Sequence, residues 1–253
     1  PSSEQYIMTD EQACVLANED SEMFVGGAFH FTTPTILNVQ KIMNAFRNGG
    51  GISYSDIGEE IPEAIERFFR PGYVHFLAKD WLSSVPGLIK KLEKGVNIAD
   101  IGCGCGQSSV AMAKAFPESK VLGIDYHRPS IDRARKLAAS NALTNIEFLA
   151  ASAHELPKKK IYDLVCALDC IHDMVDPLST LKAIREVLTD DGTLFWSEPN
   201  ASDNPLDCRN PVGKTFSSLS PFHCMTVSLA HGGKGLGTII GESGARKLAE
   251  EAG

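Results

Sequence analysis

Apolar positions along the chain change their spacing at Val96. Before it they recur every three or four residues, the period of helices. The stretch 34–51, "PTILNVQKIMNAFRNGGG", puts Val39, Ile42, Met43 and Phe46 on one face, and Gly49 to Gly51 end it. The stretch 59–85 carries Ile65, Phe68, Phe69, Phe76, Leu77 and Trp81, with Pro71-Gly72 expected to break or kink it. A short helix follows, with Pro86 near its start and Gly95 at its stop. From Val96 the pattern becomes five short apolar runs: "VNIADI", "KVLGID", "IEFLAA", "YDLVCAL" and "GTLFWSE". Helical segments Ser108–Phe116, Pro129–Asn141 and Pro177–Leu188 lie between them, the last with Asp176 as N-cap and Pro177 at its first position. Strand–helix alternation with continuously apolar strands predicts an α/β fold, a doubly wound and mostly parallel sheet covered on both faces. A long excursion, 199–241, precedes a last helix at Glu242–Glu251, and such an insertion after a strand is expected to cover a site.

Composition narrows this picture. The chain has 253 residues, 43% of them hydrophobic, enough for a full core, and a net charge of −8. That charge argues against broad electrostatic binding to nucleic acid or an anionic membrane. No apolar run approaches the ~18–20 residues of a membrane-spanning helix. The first residues, "PSSEQYIMTD", have neither a basic nor an apolar segment of a secretion signal. The seven cysteines are odd in number and fall mostly inside elements, so they read as reduced thiols of a cytoplasmic protein. The chain divides into a helical segment, 1–95, and an α/β domain, 96–253.

The densest chemical signal is "ADIGCGCGQSS" at 99–109. A glycine turn between the first strand and first helix of a doubly wound sheet lets a ligand approach the backbone. The glycines stand at Gly102, Gly104 and Gly106, which is neither the G-x-G-x-x-G dinucleotide spacing nor the phosphate-binding G-x-x-x-x-G-K-[ST]. Asp125 ends the second strand 21 residues after Gly104, where an acid accepts hydrogen bonds from ribose hydroxyls. Neither Cys103-x-Cys105 nor Cys166-x₃-Cys170 has zinc spacing, so no metal is expected, and the cysteines of the loop read as small residues between glycines.

Asp100, the three glycines, Asp125 and "YDLVCALDCIHDMVDP" together resemble class I S-adenosylmethionine-dependent methyltransferases over about 88–200. The segments "ACVLANEDSEMFVGGAFHF", "AFRNGGGISYSDIG" and "FHCMTVSLAHGGKGLGTIIGESGARKLAEEAG" resemble a subfamily with an N-terminal winged-helix segment. Against that subfamily the chain lacks most of the winged helix and the last two strands of the sheet. The segment 1–95 would then be the remnant after the winged helix, serving as a lid or dimerisation element, with a homodimer as one way to close the sheet edge. The resemblance implies S-adenosyl-L-methionine held by Asp100, Gly102, Cys103, Gly104, Gly106, Asp125, Tyr126, Ser152, Ala153 and the backbone of Leu168. Ser152 stands where the family usually carries an acid near the adenine. For His172 and Asp173 two readings compete: a general base with its orienting carboxylate, or residues that fix the loop and cap the next turn. His223 and Cys224 either line the acceptor pocket or pack a helix face. "LDCI" is not the motif of base-methylating enzymes, so a small-molecule O, N or S acceptor is favoured, methylated by in-line displacement. A cofactor-sensing transcriptional regulator is the alternative, and the glycine spacing counts against a nicotinamide oxidoreductase.

Overall fold

In the computed structural model, which describes residues 7–156 and 158–253, five α-helices precede the sheet. They are α1 (Asp10–Leu16), α2 (Gly26–Leu37), α3 (Val39–Asn48), α4 (Glu60–Gly72) and α5 (Leu88–Leu92). Pro71 does not end α4. The rod continues as a π-helical segment, Tyr73–Trp81. Pro71 has no N–H, so the four-residue ladder loses a rung there and the winding relaxes. The expected apolar face of α3 is only partly used: Ile42 is buried, while Met43 and Phe46 are 39% and 75% exposed. α3 lies on the outside of the N-terminal helices, and only Ile42 reaches their core with Ile57 and Ile61.

The sheet has five strands: β1 (Asn97–Ile101), β2 (Lys120–Asp125), β3 (Ile146–Ala150), β4 (Tyr162–Leu168) and β5 (Leu188–Ser197). Their order is β3-β2-β1-β4-β5, and every pairing is parallel. The connecting helices are α6 (Gln107–Ala115), α7 (Arg128–Ser140) and α8 (Pro177–Val187). The start of α8 follows from its sequence: Ser179 N–H donates to the Asp176 side chain at 3.1 Å, and Pro177 follows the cap. β5 begins four residues before the apolar run that announces it. Its register against β4 jumps from Tyr162–Leu188 to Leu164–Thr193, so the polar 189–192 bulges within the strand.

Both faces of the sheet are dry. Ile101, Ile124 and Val165 pack with Leu181 and Ile184 of α8. Ile98, Val121 and Leu164 pack with Met112 of α6, Leu92 of α5 and Leu77 of the π-helical segment. The excursion 199–241 is largely helical, with α9 (Pro211–Leu219) and α10 (Cys224–Ala230), and α11 (Gly241–Ala252) follows. It closes on the N-terminal helices. Val227 joins Phe31, Ile52 and Ile61 in one apolar cluster, and Ile52 N–H donates to Thr226 Oγ1 at 2.8 Å. No helix among the described residues is long and apolar enough to cross a membrane.

β1 and β4 leave the sheet centre in opposite winding directions, which places a crevice beyond their carboxyl ends. The turn after β1 needs glycine at 106 for two reasons. Its φ is +85°, and a Cβ there would lie 2.7 Å from Ala134 Cβ and 2.8 Å from Phe148 Cζ. Gly106→Ala is expected to cost roughly 2–5 kcal/mol, combining left-handed strain and overpacking. Denaturant unfolding checks this; an unchanged midpoint would contradict it.

Candidate active site

The turn after β1 is held from both ends. Gly102 and Cys103 N–H both donate to Ile124 O, at 2.8 and 3.1 Å. Gly104 N–H donates to Asp125 Oδ2 at 3.0 Å, and His127 N–H to Asp125 Oδ1 at 2.8 Å. Asp125 thus pins the glycine loop while keeping further lone pairs for a ligand. Beneath the loop, Asp100 is 1% exposed and accepts from Ser108 Oγ at 2.6 Å and Ser109 Oγ at 2.5 Å. Burial raises its pKa to about 6 against the pull of the two serines.

A cavity of about 730 Å³ opens over this turn. Eleven of the candidate site residues from the sequence line it: Gly102, Cys103, Gly104, Asp125, Tyr126, Ser152, Ala153, Leu168, Asp173, His223 and Cys224. Three do not. Asp100 faces α6 behind the loop, Gly106 packs on Ala134 and Phe148, and His172 is buried behind Asp173. Asp100 and Gly106 thus support the loop from behind and do not line the cavity. Ser152 is on the wall, but its hydroxyl also accepts from His154 N–H at 3.3 Å, capping the turn at 153–155. The thiols are inert: burial lifts Cys103 well above the usual thiol range and Cys105 to about 12.

Across the cavity stands a chain of acids and imidazoles. Trp196 Nε1 donates to Glu198 Oε1 at 2.7 Å, and Glu198 Oε2 pairs with His172 Nδ1. His172 Nε2 lies 3.0 Å from Asp173 Oδ1, in ion-pair range but not aligned for a hydrogen bond. His223 Nδ1 lies 3.8 Å from Asp173 Oδ2. The two histidines are driven apart. Burial opposes charge on His172, but Asp173, Cys224 and Glu198 overcome it and hold its pKa well above the ordinary value. Burial dominates at His223 and lowers its pKa. His223 Nε2 is buried without a hydrogen-bond partner among the described residues. Burial also pushes the Cys224 thiol up to about 12.

A family model described as a methyltransferase domain matches residues 92–252. The chain belongs to that family. S-adenosyl-L-methionine is the cofactor that goes with this methyltransferase fold. The ubiquinone biosynthesis O-methyltransferase of Acinetobacter baylyi is 28% identical over 154 residues, 60% of this chain and 59% of that protein. The trans-aconitate 2-methyltransferase of Afipia carboxidovorans is 31% identical over 129 residues, 51% and 46% of the two chains. The aligned part thus spans about half the length of these curated relatives. PigF, solved with SAH, superposes with a TM-score of 0.71 at 16% identity, covering 100% of this chain and 74% of that one. That likeness bears on the fold.

The wall fits the cofactor on its own evidence. A Cβ at Gly104 would meet nothing within 4 Å, so the loop leaves open space over its backbone, beside the Asp125 carboxylate. Glu198, Asp169 and Tyr54 were missed from the sequence. Glu198 had a usable signal, since it follows β5 as Asp125 ends β2, at the carboxyl edge of the sheet. Tyr54 had none; its ring lies 4.8 Å from His127 and 5.6 Å from His223.

Gly104→Ala separates support from binding. At φ +52° the change should cost stability only about 1–2 kcal/mol. Its methyl group would enter the open space, and affinity for S-adenosylhomocysteine should fall more than about tenfold. Calorimetry and thermal unfolding of the same variant measure both, and unimpaired binding would contradict the assignment of this wall. Removing both hydroxyls in Ser108→Ala/Ser109→Ala leaves Asp100 without donors. Each lost bond to the buried acid should cost about 1–3 kcal/mol at pH 8. Since those bonds favour the carboxylate, the loss should shrink as pH falls through about 6, where Asp100 takes up its proton.

Proposed function

We propose that this methyltransferase transfers a methyl group from S-adenosylmethionine to a hydroxyl oxygen of a small molecule. The observation that carries the reading is the continuity of the two walls. The glycine loop with Asp125 and the Asp173–His223 pair line one cavity. S-adenosylmethionine, when bound, supplies a methyl group made electrophilic by its sulfonium. Asp125 would hold the ribose, Tyr126 would lie against the adenine, and the backbone of Gly102–Gly104 and Leu168 would frame the amino-acid end. The names of the relatives point to oxygen as the accepting atom.

A hydroxyl acceptor gives up a proton as it is methylated. His223 is placed to take it, being on the cavity wall, neutral, and unpartnered at Nε2. Its other nitrogen, Nδ1, lies 3.6 Å from Cys224 Sγ and 3.8 Å from Asp173 Oδ2, and in the tautomer with the proton on Nδ1 that proton faces these two acceptors and leaves Nε2 free. The separation is longer than a hydrogen bond, as is common in sites without a bound substrate. His172 fits the base role less well, because two carboxylates hold it as the cation. It is better suited to fixing Asp173. Phe31, Phe68, Phe69 and Phe216 wall the acceptor side and exclude water.

Steady-state kinetics with a phenolic acceptor test the assignment. His223→Ala should lower kcat about 10²–10⁴-fold while leaving S-adenosylmethionine affinity intact. The wild-type rate should depend on a neutral imidazole whose pKa is lowered from 6.5, so activity should persist below pH 6.5 and fall only on further acidification. Full activity in His223→Ala would remove the base role. Tight cofactor binding without turnover on any acceptor would favour the regulator reading. Binding of NADH in place of S-adenosylmethionine would sink both.

A further inference from the structure

The cavity is one-sided in charge. Glu66, Asp125, Asp169, Asp173 and Asp176 line it, and no lysine or arginine does among the described residues. Four of these acids have partners within the protein. Gln107 Nε2 donates to Glu66 at 2.7 Å, backbone N–H groups serve Asp125, His172 and His223 flank Asp173, and Asp176 caps α8. Asp169 differs. It sits at the first position after β4, its own N–H donating to Ser197 O at 2.8 Å, and its backbone is left-handed at φ +55°. Aspartate is among the few side chains that tolerate this region, and such outliers concentrate at ligand sites. Its carboxyl lies in the wall with no hydrogen bond among the described residues to hold it ionised. Burial raises its pKa to about 8; His172, within 4.8 Å, opposes the rise, and Asp173 and Glu198 add to it. A second group on the same wall also lacks a partner: His223 Nε2, on a side chain only 7% exposed.

From these observations we propose that the acceptor is a hydroxylated aromatic molecule that carries a protonated amine and no acidic group, with Asp169 as the carboxylate that receives the ammonium. This rests on the methyl-transfer reading above. The acceptor hydroxyl would donate to His223 Nε2, the ammonium would restore the charge of Asp169, and the ring would lie among Phe31, Tyr54 and Phe216. Aromatic faces add to the preference, since they attract cations through their quadrupoles. An anionic acceptor would enter a field of carboxylates with no lysine or arginine among the described lining residues to clamp it. The cofactor carries an ammonium group of its own, so the two sources of the same chemistry must be separated.

Three probes that share a dihydroxyphenyl ring and differ in side-chain charge do this: dopamine, catechol and 3,4-dihydroxybenzoate. Their affinities are measured by calorimetry on the full chain saturated with S-adenosylhomocysteine, after that ligand's own binding is recorded. Dopamine is expected to bind at least tenfold more tightly than 3,4-dihydroxybenzoate, with catechol between them. In Asp169→Asn, whose new side chain also tolerates the left-handed backbone, the gap between dopamine and catechol should close. Equal or tighter binding of 3,4-dihydroxybenzoate overturns the proposal, as does failure of all three probes to bind. If Asp169→Asn weakens S-adenosylhomocysteine but keeps the dopamine preference, Asp169 belongs to the cofactor's ammonium and the proposal falls. The ordering of the probes on the wild-type chain needs no variant to fold. Failure of the methyl-transfer reading shows separately, as a wild-type chain that does not bind S-adenosylhomocysteine.

Discussion

A carboxylate buried in the middle of a parallel sheet has to be held, and the way Asp100 is held organises the cofactor side of the molecule. Water cannot reach it, and burial alone would keep it protonated. Ser108 and Ser109, in the first turn of α6, both donate to the same oxygen, Oδ2. This fixes the N-terminus of α6 against the carboxyl half of β1. The seven residues between Asp100 and Ser108 then have little freedom, and the chain must double back through left-handed glycines. Asp125, one strand over, takes up the Gly104 N–H and finishes the turn. The two acids divide the labour: the buried one sets the frame and the other pins the loop and faces the cavity.

The opposite wall is governed by how four titratable groups divide charge among themselves. Glu198, His172, Asp173 and His223 form a line in which acids and imidazoles alternate. Two carboxylates outweigh the burial of His172, whereas a single, more distant carboxylate does not outweigh the burial of His223. Environments that push like groups apart in pKa are how one site holds a cation and a base at the same pH. Asp173 profits from both neighbours: burial would raise its pKa, yet the two histidines bring it below the ordinary aspartate value.

How much of this was legible depended on the range of the interaction that decides each feature. The five strands, the three helices between them and the glycine turn follow from local patterns, and appear within a few residues of where those patterns put them. The start of β5 was misread because "TDDG" has turn composition, and only pairing with β4 makes a bulge of it. Met43 and Phe46 have helical spacing, but whether a neighbour covers them is not a local property. Asp100 stands out in the sequence as an acid beside the glycines, but its bonds to Ser108 and Ser109 across the turn do not. Glu198 is 26 residues from His172 and is joined to it only by the adjacency of β4 and β5. The left-handed backbone of Asp169 leaves no mark in a sequence, because a non-glycine residue carries it.

The same distinction separates binding from chemistry within the cavity. The parts proposed to frame the cofactor come from a continuous run of the sheet, β1 through β2, and depend on contacts inside it. His223 comes from the excursion 199–241, and what holds it is the N-terminal segment. The Phe31 and Tyr54 rings lie 6.0 and 5.6 Å from its imidazole, and Val227, one turn further on, is buried in the cluster of Ile52 and Ile61. That packing is what keeps the imidazole dry, and dryness is what lowers its pKa. Loosening the N-terminal helices would therefore hydrate His223 and raise its pKa toward the ordinary value, leaving the Asp125 wall in place. In this architecture the cover helps set the acid–base state of the site as well as shielding it.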